Sequence, residues 1–143
     1  MIEISEVGIE DRGAALALIE ASRLPRAGLE NTGLRLWVAR ADGVVVGVAG
    51  LEPYGDVALL RSVATDERHR EHGVATSLCG AVVEAARAGG ARRVYLLTET
   101  AERFFRRLGF ESQNRSEADP RLLVSAEFQG NQCASAQLMA RRV

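Results

Sequence analysis

Lysine is missing from this chain: all 18 basic residues are arginines, set against 19 acidic residues for a net charge of −1. Codon bias accounts for that preference across the chain, and extra bidentate grips on anions are open only at individual positions. The balanced charge gives no basic excess of the kind a nucleic-acid backbone demands. Two cysteines, Cys79 and Cys133, are too few for a disulfide scaffold and cannot hold a metal cluster alone. Three prolines and 14 glycines exclude collagen-like or low-complexity sequence. The longest apolar run, 44–51, is far short of the roughly 20 residues of a membrane-spanning helix. The opening Met-Ile-Glu-Ile-Ser-Glu lacks the basic flank and apolar stretch of a secretory signal. A cytoplasmic protein, with no membrane and no nucleic-acid partner, is the expectation.

What is present is ordinary globular composition, 47% hydrophobic and 26% charged over 143 residues. That length matches one domain, 1–143, able to bury about two-thirds of its unfolded surface. Residues 2–7 read as a strand and 10–22 as an amphipathic helix, with Ala14, Leu18 and Ala21 at helical spacing and Ala15 and Ile19 beside them. Leu24-Pro25 ends that helix, and 25–33 is a loop or short irregular helix. Alternation over 34–40, the turn Ala41-Asp42-Gly43 and the run 44–52 predict a hairpin. A second turn, 53–56, leads to a third antiparallel strand over 57–65. Apolar residues at Val74, Leu78, Val82 and Ala85 predict a helix over 74–87, closed by Gly89-Gly90. A strand over 93–98, a helix over 100–108 and at least two further strands complete an α+β pattern with a central strand–helix–strand crossover.

The chemistry is concentrated where the third strand meets the long helix, through Arg70-Glu71-His72-Gly73-Val74-Ala75-Thr76. The first turn of a helix carries unpartnered N–H groups at the positive end of the helix dipole, so an anion is stabilised there without any special side chain. Gly73 and Ala75 keep bulk away from the main chain, and Arg70 adds a cation. Arg-x-x-Gly-x-Ala is a weak pattern by itself; its place after a strand and before an amphipathic helix raises it.

This segment resembles the acyl-CoA signature Gln/Arg-x-x-Gly-x-Gly/Ala of the GCN5-related N-acetyltransferase (GNAT) family. Thr98-Glu-Thr-Ala101-Glu-Arg-Phe104-Phe105-Arg-Arg-Leu108-Gly109-Phe110 resembles the same family's Asn-x-x-Ala-x-x-Phe-Tyr-x-x-x-Gly-Phe segment. Local patterns at 50–55, 59–62, Phe104-Phe105, Ser125-x-Glu127-Phe128 and Cys133-x-Ser135-Ala136 look like the arsenic-resistance-associated N-acetyltransferases within it. The resemblance implies a mixed, mostly antiparallel sheet of six or seven strands with a splayed parallel pair, flanked by three to four helices. It also implies an enzyme using acetyl-CoA and no metal, with a small-molecule amine as partner and a homodimer as an option. By analogy, Val63 and Thr65 offer main-chain groups to pantetheine, and an N–H near Val63 faces the oxyanion. Arg70, Glu71, His72, Gly73, Val74, Ala75 and Thr76 wrap the pyrophosphate, and Thr98 and Phe105 complete the cofactor site. One departure matters: Phe105 stands where the family often has the tyrosine that protonates the leaving thiolate. Glu71 is another, and its charge is expected to point to solvent.

Several residues remain open between a functional and a structural role. Arg61 in an apolar strand either grips an acid group of the acceptor or pairs with Glu52 as structural glue. Glu52 and Glu127 are candidate general bases. Tyr54 is either a substitute thiolate acid or a turn aromatic, and Ser125 and Cys133 are candidates for the acceptor pocket. Cys79 reads as core; His69 and His72 read as solvated. The leading expectation is acetyl transfer from acetyl-CoA to a primary amine of an amino-acid-like or toxic-analogue acceptor. The contrasting ones are a protein N-acetyltransferase and a non-catalytic acyl-CoA-binding sensor or subunit, the latter favoured by Phe105.

Overall fold

Residues 44–51 are valine, alanine, glycine and leucine throughout, the composition of a strand covered on both faces. The computed structural model, which describes residues 2–30, 33–70, 73–129 and 135–143, places them at the centre of one sheet. The elements in chain order are β1 (Ile2–Glu6), α1 (Ile9–Ala21), β2 (Arg35–Ala41), β3 (Val44–Tyr54), β4 (Val57–Thr65), α2 (Val74–Ala88), β5 (Arg93–Thr98), α3 (Glu102–Arg107), β6 (Glu111–Gln113) and β7 (Gln137–Arg142). The seven strands lie in the order β1-β2-β3-β4-β5-β7-β6, with β4 and β5 parallel and every other neighbouring pair antiparallel. Between β6 and β7, 3-10 turns at Arg115–Glu117, Pro120–Val124 and Ala126–Phe128 replace regular structure. None of the helices is long and apolar enough to cross a membrane among the described residues.

Alternate residues of each strand face opposite layers. Trp37, Ala39, Ala49, Leu51, Ala58 and Leu60 pack under α2, through Val74, Leu78, Cys79, Val82 and Val83. Leu36, Val38, Val48 and Ala64 pack against α1. On that same face, Val57, Leu59 and Tyr95 are covered by Leu122 from the 3-10 segment. The buried stripe of α1 is Ala15 and Ile19, whereas Ala14 and Ala21 are exposed, a rotation of about one residue from the expected face. Gly47 lets α2 lie close: a Cβ there would come within 2.7 Å of Leu78 Cδ1 and 2.8 Å of Val74 Cγ1.

The end of β3 differs from expectation for an identifiable reason. β3 continues through Pro53 and Tyr54 rather than ending at Glu52. By then β2 has ended, since its last pair is Arg35 with Leu51, so β3 has β4 alone as neighbour and one side of Pro53 is open. A proline without an N–H is tolerated where a strand behaves as an edge. Gly89-Gly90 closes α2 as expected, with Gly89 at φ −82° and Gly90 taking the left-handed φ of 102°.

β4 is irregular on both of its sides. Its parallel register with β5 covers only Val57 with Arg93, Ala58 with Val94 and Leu59 with Tyr95. Beyond Leu59 the strands part. On the other side of β4, Gly50 pairs with Arg61 and Val48 with Ala64, so Ser62 and Val63 together oppose Ala49. That is a β-bulge, and Ser62 takes φ 58° to make it.

Candidate active site

The parting strands open a cleft of about 650 Å³. Residues 60–65 of β4 form one wall, and 96–98 of β5 with Phe104 and Phe105 of α3 form the other. Ser22, Arg23, Leu24 and Pro25, which follow α1, close a third side. Arg70 and Ala75 stand at the end near α2, while Arg61 and Glu127 also line the cleft. The sequence pointed to the strand–helix junction as the centre of the chemistry, and the splay adds a trough leading to it.

At the α2 end, Gly73 is the N-cap residue with φ 74°. This left-handed conformation is one that side chains with a Cβ rarely adopt, and a Cβ built there meets nothing within 4 Å among the described residues. Ser77 N–H donates to Gly73 O at 3.0 Å, the first bond of the helix. The N–H groups of Val74, Ala75 and Thr76 therefore precede the ladder and have no intrahelical partner. The side chain of Val74 is buried beneath the helix, and that of Thr76 is exposed. Glu71 and His72 lie outside the described residues.

Thr65, at the cleft wall, holds a buried hydroxyl with no hydrogen-bond partner among the described residues. Val63, within the bulge, has no register partner on β3 or β5. Thr98 Oγ1 accepts from Ala101 N–H at 3.0 Å and so fixes the approach to α3. Phe105 packs edge-on against Phe104 and Phe110, with ring centroids 5.0 and 5.9 Å away. It presents hydrocarbon to the cleft where a phenol would present a proton.

The floor of the cleft is a charged cluster set between the two apolar clusters of that sheet face. Because Gly50 pairs with Arg61, Glu52 with Leu59 and Tyr54 with Val57, the side chains of Glu52, Tyr54 and Arg61 share one face. Arg61 Nη1 donates to Glu52 Oε2 at 2.8 Å, Nη2 donates to Pro25 O at 3.1 Å and Nε donates to Ser62 Oγ at 3.1 Å. Glu127 Oε2 lies 3.3 Å from Arg61 Nε. Tyr54 Oη donates to Glu52 Oε1 at 2.5 Å. Ser125 Oγ accepts from Glu127 N–H at 3.3 Å, holding the turn that carries Glu127.

Two carboxylates thus compete for one guanidinium in a buried place. Glu52 has the shorter contact. Burial, with the added repulsion of Glu52, outweighs the pull of Arg61 on Glu127 and raises its carboxyl to about 7. Burial and the bond to Glu52 together raise the Tyr54 phenol to about 12. Cys79 is buried in the core, and burial likewise raises its thiol to about 12.

The structure separates the sequence candidates by position. Arg61 and Glu127 reach the cleft. Glu52, Tyr54 and Ser125 stand behind them and do not line it. Tyr54, a candidate thiolate acid by sequence, donates its hydroxyl hydrogen bond to Glu52. Arg61, open between acceptor grip and structural pair, is bonded to Glu52, Ser62 and Pro25. Cys133 lies outside the described residues. The residues 22–25 were missed as a cleft wall, because a loop's path across a sheet leaves no periodic trace in sequence.

A family model described as the acetyltransferase (GNAT) family matches residues 10–110. The probable N-acetyltransferase camello of Xenopus tropicalis is 34% identical over a 94-residue alignment that covers 61% of this chain and 42% of that protein. The chain thus spans less than half the length of that curated relative. N-acetylglutamate synthase from Neisseria gonorrhoeae, complexed with coenzyme A and N-acetyl-glutamate, superposes with TM-score 0.84 at 21% identity, over 99% of this chain and 35% of that one. Rv2747 from Mycobacterium tuberculosis, in complex with CoA and NLQ, gives TM-score 0.84 at 22% identity, covering 99% of each chain. The splayed seven-stranded sheet is the fold of these proteins, and by the family match the chain belongs to the GNAT acetyltransferase family.

Proposed function

We propose that the protein transfers acetyl from acetyl-CoA to the primary amine of a small, amino-acid-like acceptor, by direct attack in a ternary complex. The observation that carries this reading is the buried carboxyl of Glu127, poised near neutrality on the floor of the cleft between the splayed strands. An amine arriving as ammonium must lose a proton before it can attack, and Glu127 is placed to take it.

The residues present fit the cosubstrate. Among the described residues, the left-handed Gly73 leaves open space beside N–H groups with no intrahelical partner, Thr65 keeps an unused buried hydroxyl, and β4 is not paired with β5 beyond Leu59. Gly73, Val74, Ala75 and Thr76, with Arg70, would hold the pyrophosphate, and Glu71 and His72 belong to the same loop. Val63, Thr65 and Thr98 would follow the pantetheine, with Phe105 packed beside it. When bound, acetyl-CoA supplies an acetyl thioester. The bulged main chain at Val63 would face the developing oxyanion, an effect worth roughly 3–4 kcal/mol for one donor. Glu52 and Tyr54 act through Arg61 and Glu127 rather than on the substrate. With Phe105 in place of a tyrosine, water or another group returns the proton to the thiolate.

Amino-acid-like acceptors are favoured because N-acetylglutamate synthase of this fold is complexed with N-acetyl-glutamate. The narrower arsenic-resistance role is supported by the local patterns around Gly50, Arg61, Glu127 and Ser135. Thiol release from acetyl-CoA, scanned over amino acids and their phosphinate and arsenical analogues, tests the proposal. Turnover on such acceptors is expected. Tight CoA binding without turnover on any amine overturns it in favour of a non-catalytic acyl-CoA module.

A further inference from the structure

Arg61 is already committed: its side chain is fully buried, three of its five N–H groups donate within the protein, and two carboxylates face its one charge. Another cation lines the same cleft. Arg23 follows α1 in the wall made by 22–25, and Pro25 O, two residues on, takes the bond from Arg61. Arg23 thus belongs to the wall that touches Arg61 through Pro25, while Arg70 lines the cleft just before α2.

The backbone of Arg23 is unusual. Arg23 N–H donates to Glu20 O at 3.0 Å and Leu24 N–H donates to Ile19 O at 3.3 Å. Those two bonds make a Schellman motif, whose left-handed position is normally glycine. Arg23 occupies it with φ 57°, against the steric preference of any residue with a Cβ. Its neighbours are engaged: Arg12 donates to Leu29 O, and Arg26 pairs with Glu20. Among the described residues the Arg23 side chain has no such partner. A basic residue at a helix C-terminus is favourable on dipole grounds alone, but that requires only charge and not a place in a cleft wall.

We propose that Arg23 is the specificity-determining residue of this site, its exposed guanidinium taking the acceptor's carboxylate, or a phosphinate in its place, while Glu127 faces the amine. The inference rests on the acetyl-transfer reading and names the acceptor as an anion-bearing amine. It also replaces Arg61 in the acceptor-gripping role that the sequence suggested. A bidentate guanidinium–carboxylate pair adds both charge and orientation.

The test compares an amino acid that is turned over with its neutral carboxamide, using the full chain and the variants Arg23→Gly and Arg23→Lys. Selectivity, the ratio of kcat/KM for acid over amide, should fall roughly 10- to 100-fold in Arg23→Gly, as loss of a charged hydrogen-bonded pair implies. The Tm of that variant should equal or exceed the wild-type value, because glycine suits the left-handed position. Arg23→Lys should keep part of the selectivity, since a point charge lacks the fork. Unchanged selectivity in Arg23→Gly, or a wild-type enzyme that prefers the amide, overturns the proposal while acetyl transfer stands. No turnover on any amine is a different result, which overturns the acetyl-transfer reading and this proposal with it.

Discussion

Glu127 and Glu52 are both glutamates beside one arginine, and their difference is one of reach and contact. Glu127 lines the cleft, and its carboxyl is raised to about 7 by burial, so its base form fills in as pH rises from about 6 to 8. Acetyl transfer should therefore climb across that interval, and Glu127→Gln should cost at least 100-fold in kcat and flatten the climb, measured as a pH–rate profile. The same shift acts on stability. The folded state holds a proton that the unfolded state releases near 4.5, so stability should fall as pH rises from about 4.5 to 7 and level off above it. The size is on the order of 3 kcal/mol, and Glu127→Gln should remove that slope in urea titrations at each pH. Glu52 makes the opposite prediction. In Glu52→Gln the charge of Arg61 faces Glu127 alone, so the acid limb of the pH–rate profile should move to lower pH while activity at high pH persists. Abolition at every pH would make Glu52 the base instead.

At the scale of elements, α2 is fixed by two glycines for different reasons. Gly47 is a matter of space beneath the helix. Gly47→Ala drives a Cβ into Leu78 and Val74, an overpacking of about 1–3 kcal/mol that should appear as a lowered denaturant midpoint with cofactor binding retained in the folded fraction. Gly73 is a matter of conformation and approach. Gly73→Val should weaken CoA binding at least tenfold, about 1.4 kcal/mol, by calorimetry, because a β-branched side chain resists φ 74° and stands where a diphosphate would lie. Both strands of the hairpin and the α2 helix that opens after Gly73 were legible because hydrophobic spacing and turn residues encode them directly. The end of β3 was not, since Pro53 reads as a breaker until the early end of β2 leaves one side of it open. The 3-10 segment was not either. It carries Glu127 to the floor through Ser125, yet its apolar contacts, such as Leu122 on Leu59, have no repeat for sequence to display.

Across the whole molecule the sheet is two wings, β1 to β4 and β5-β7-β6, whose facing strands β4 and β5 share three parallel register pairs. That weak seam was implied by the family resemblance and not by any local signal, since β4 and β5 each read as unbroken strands. A cosubstrate lying in the seam and bonding main chain on both sides would tie the wings together. With CoA at about a hundred times its Kd, mass action adds about 2.7 kcal/mol to stability. For a chain of this size that is a rise in Tm of about 5–15 °C. Hydrogen exchange locates the effect. Amides of residues 60–65 on β4 and 96–98 on β5 should slow together on CoA addition, along with Val74, Ala75 and Thr76, while β1 and β6 at the sheet edges change little. Slowing confined to α2 would mean that the diphosphate is held and the pantetheine is not, and the seam would then have no part in binding.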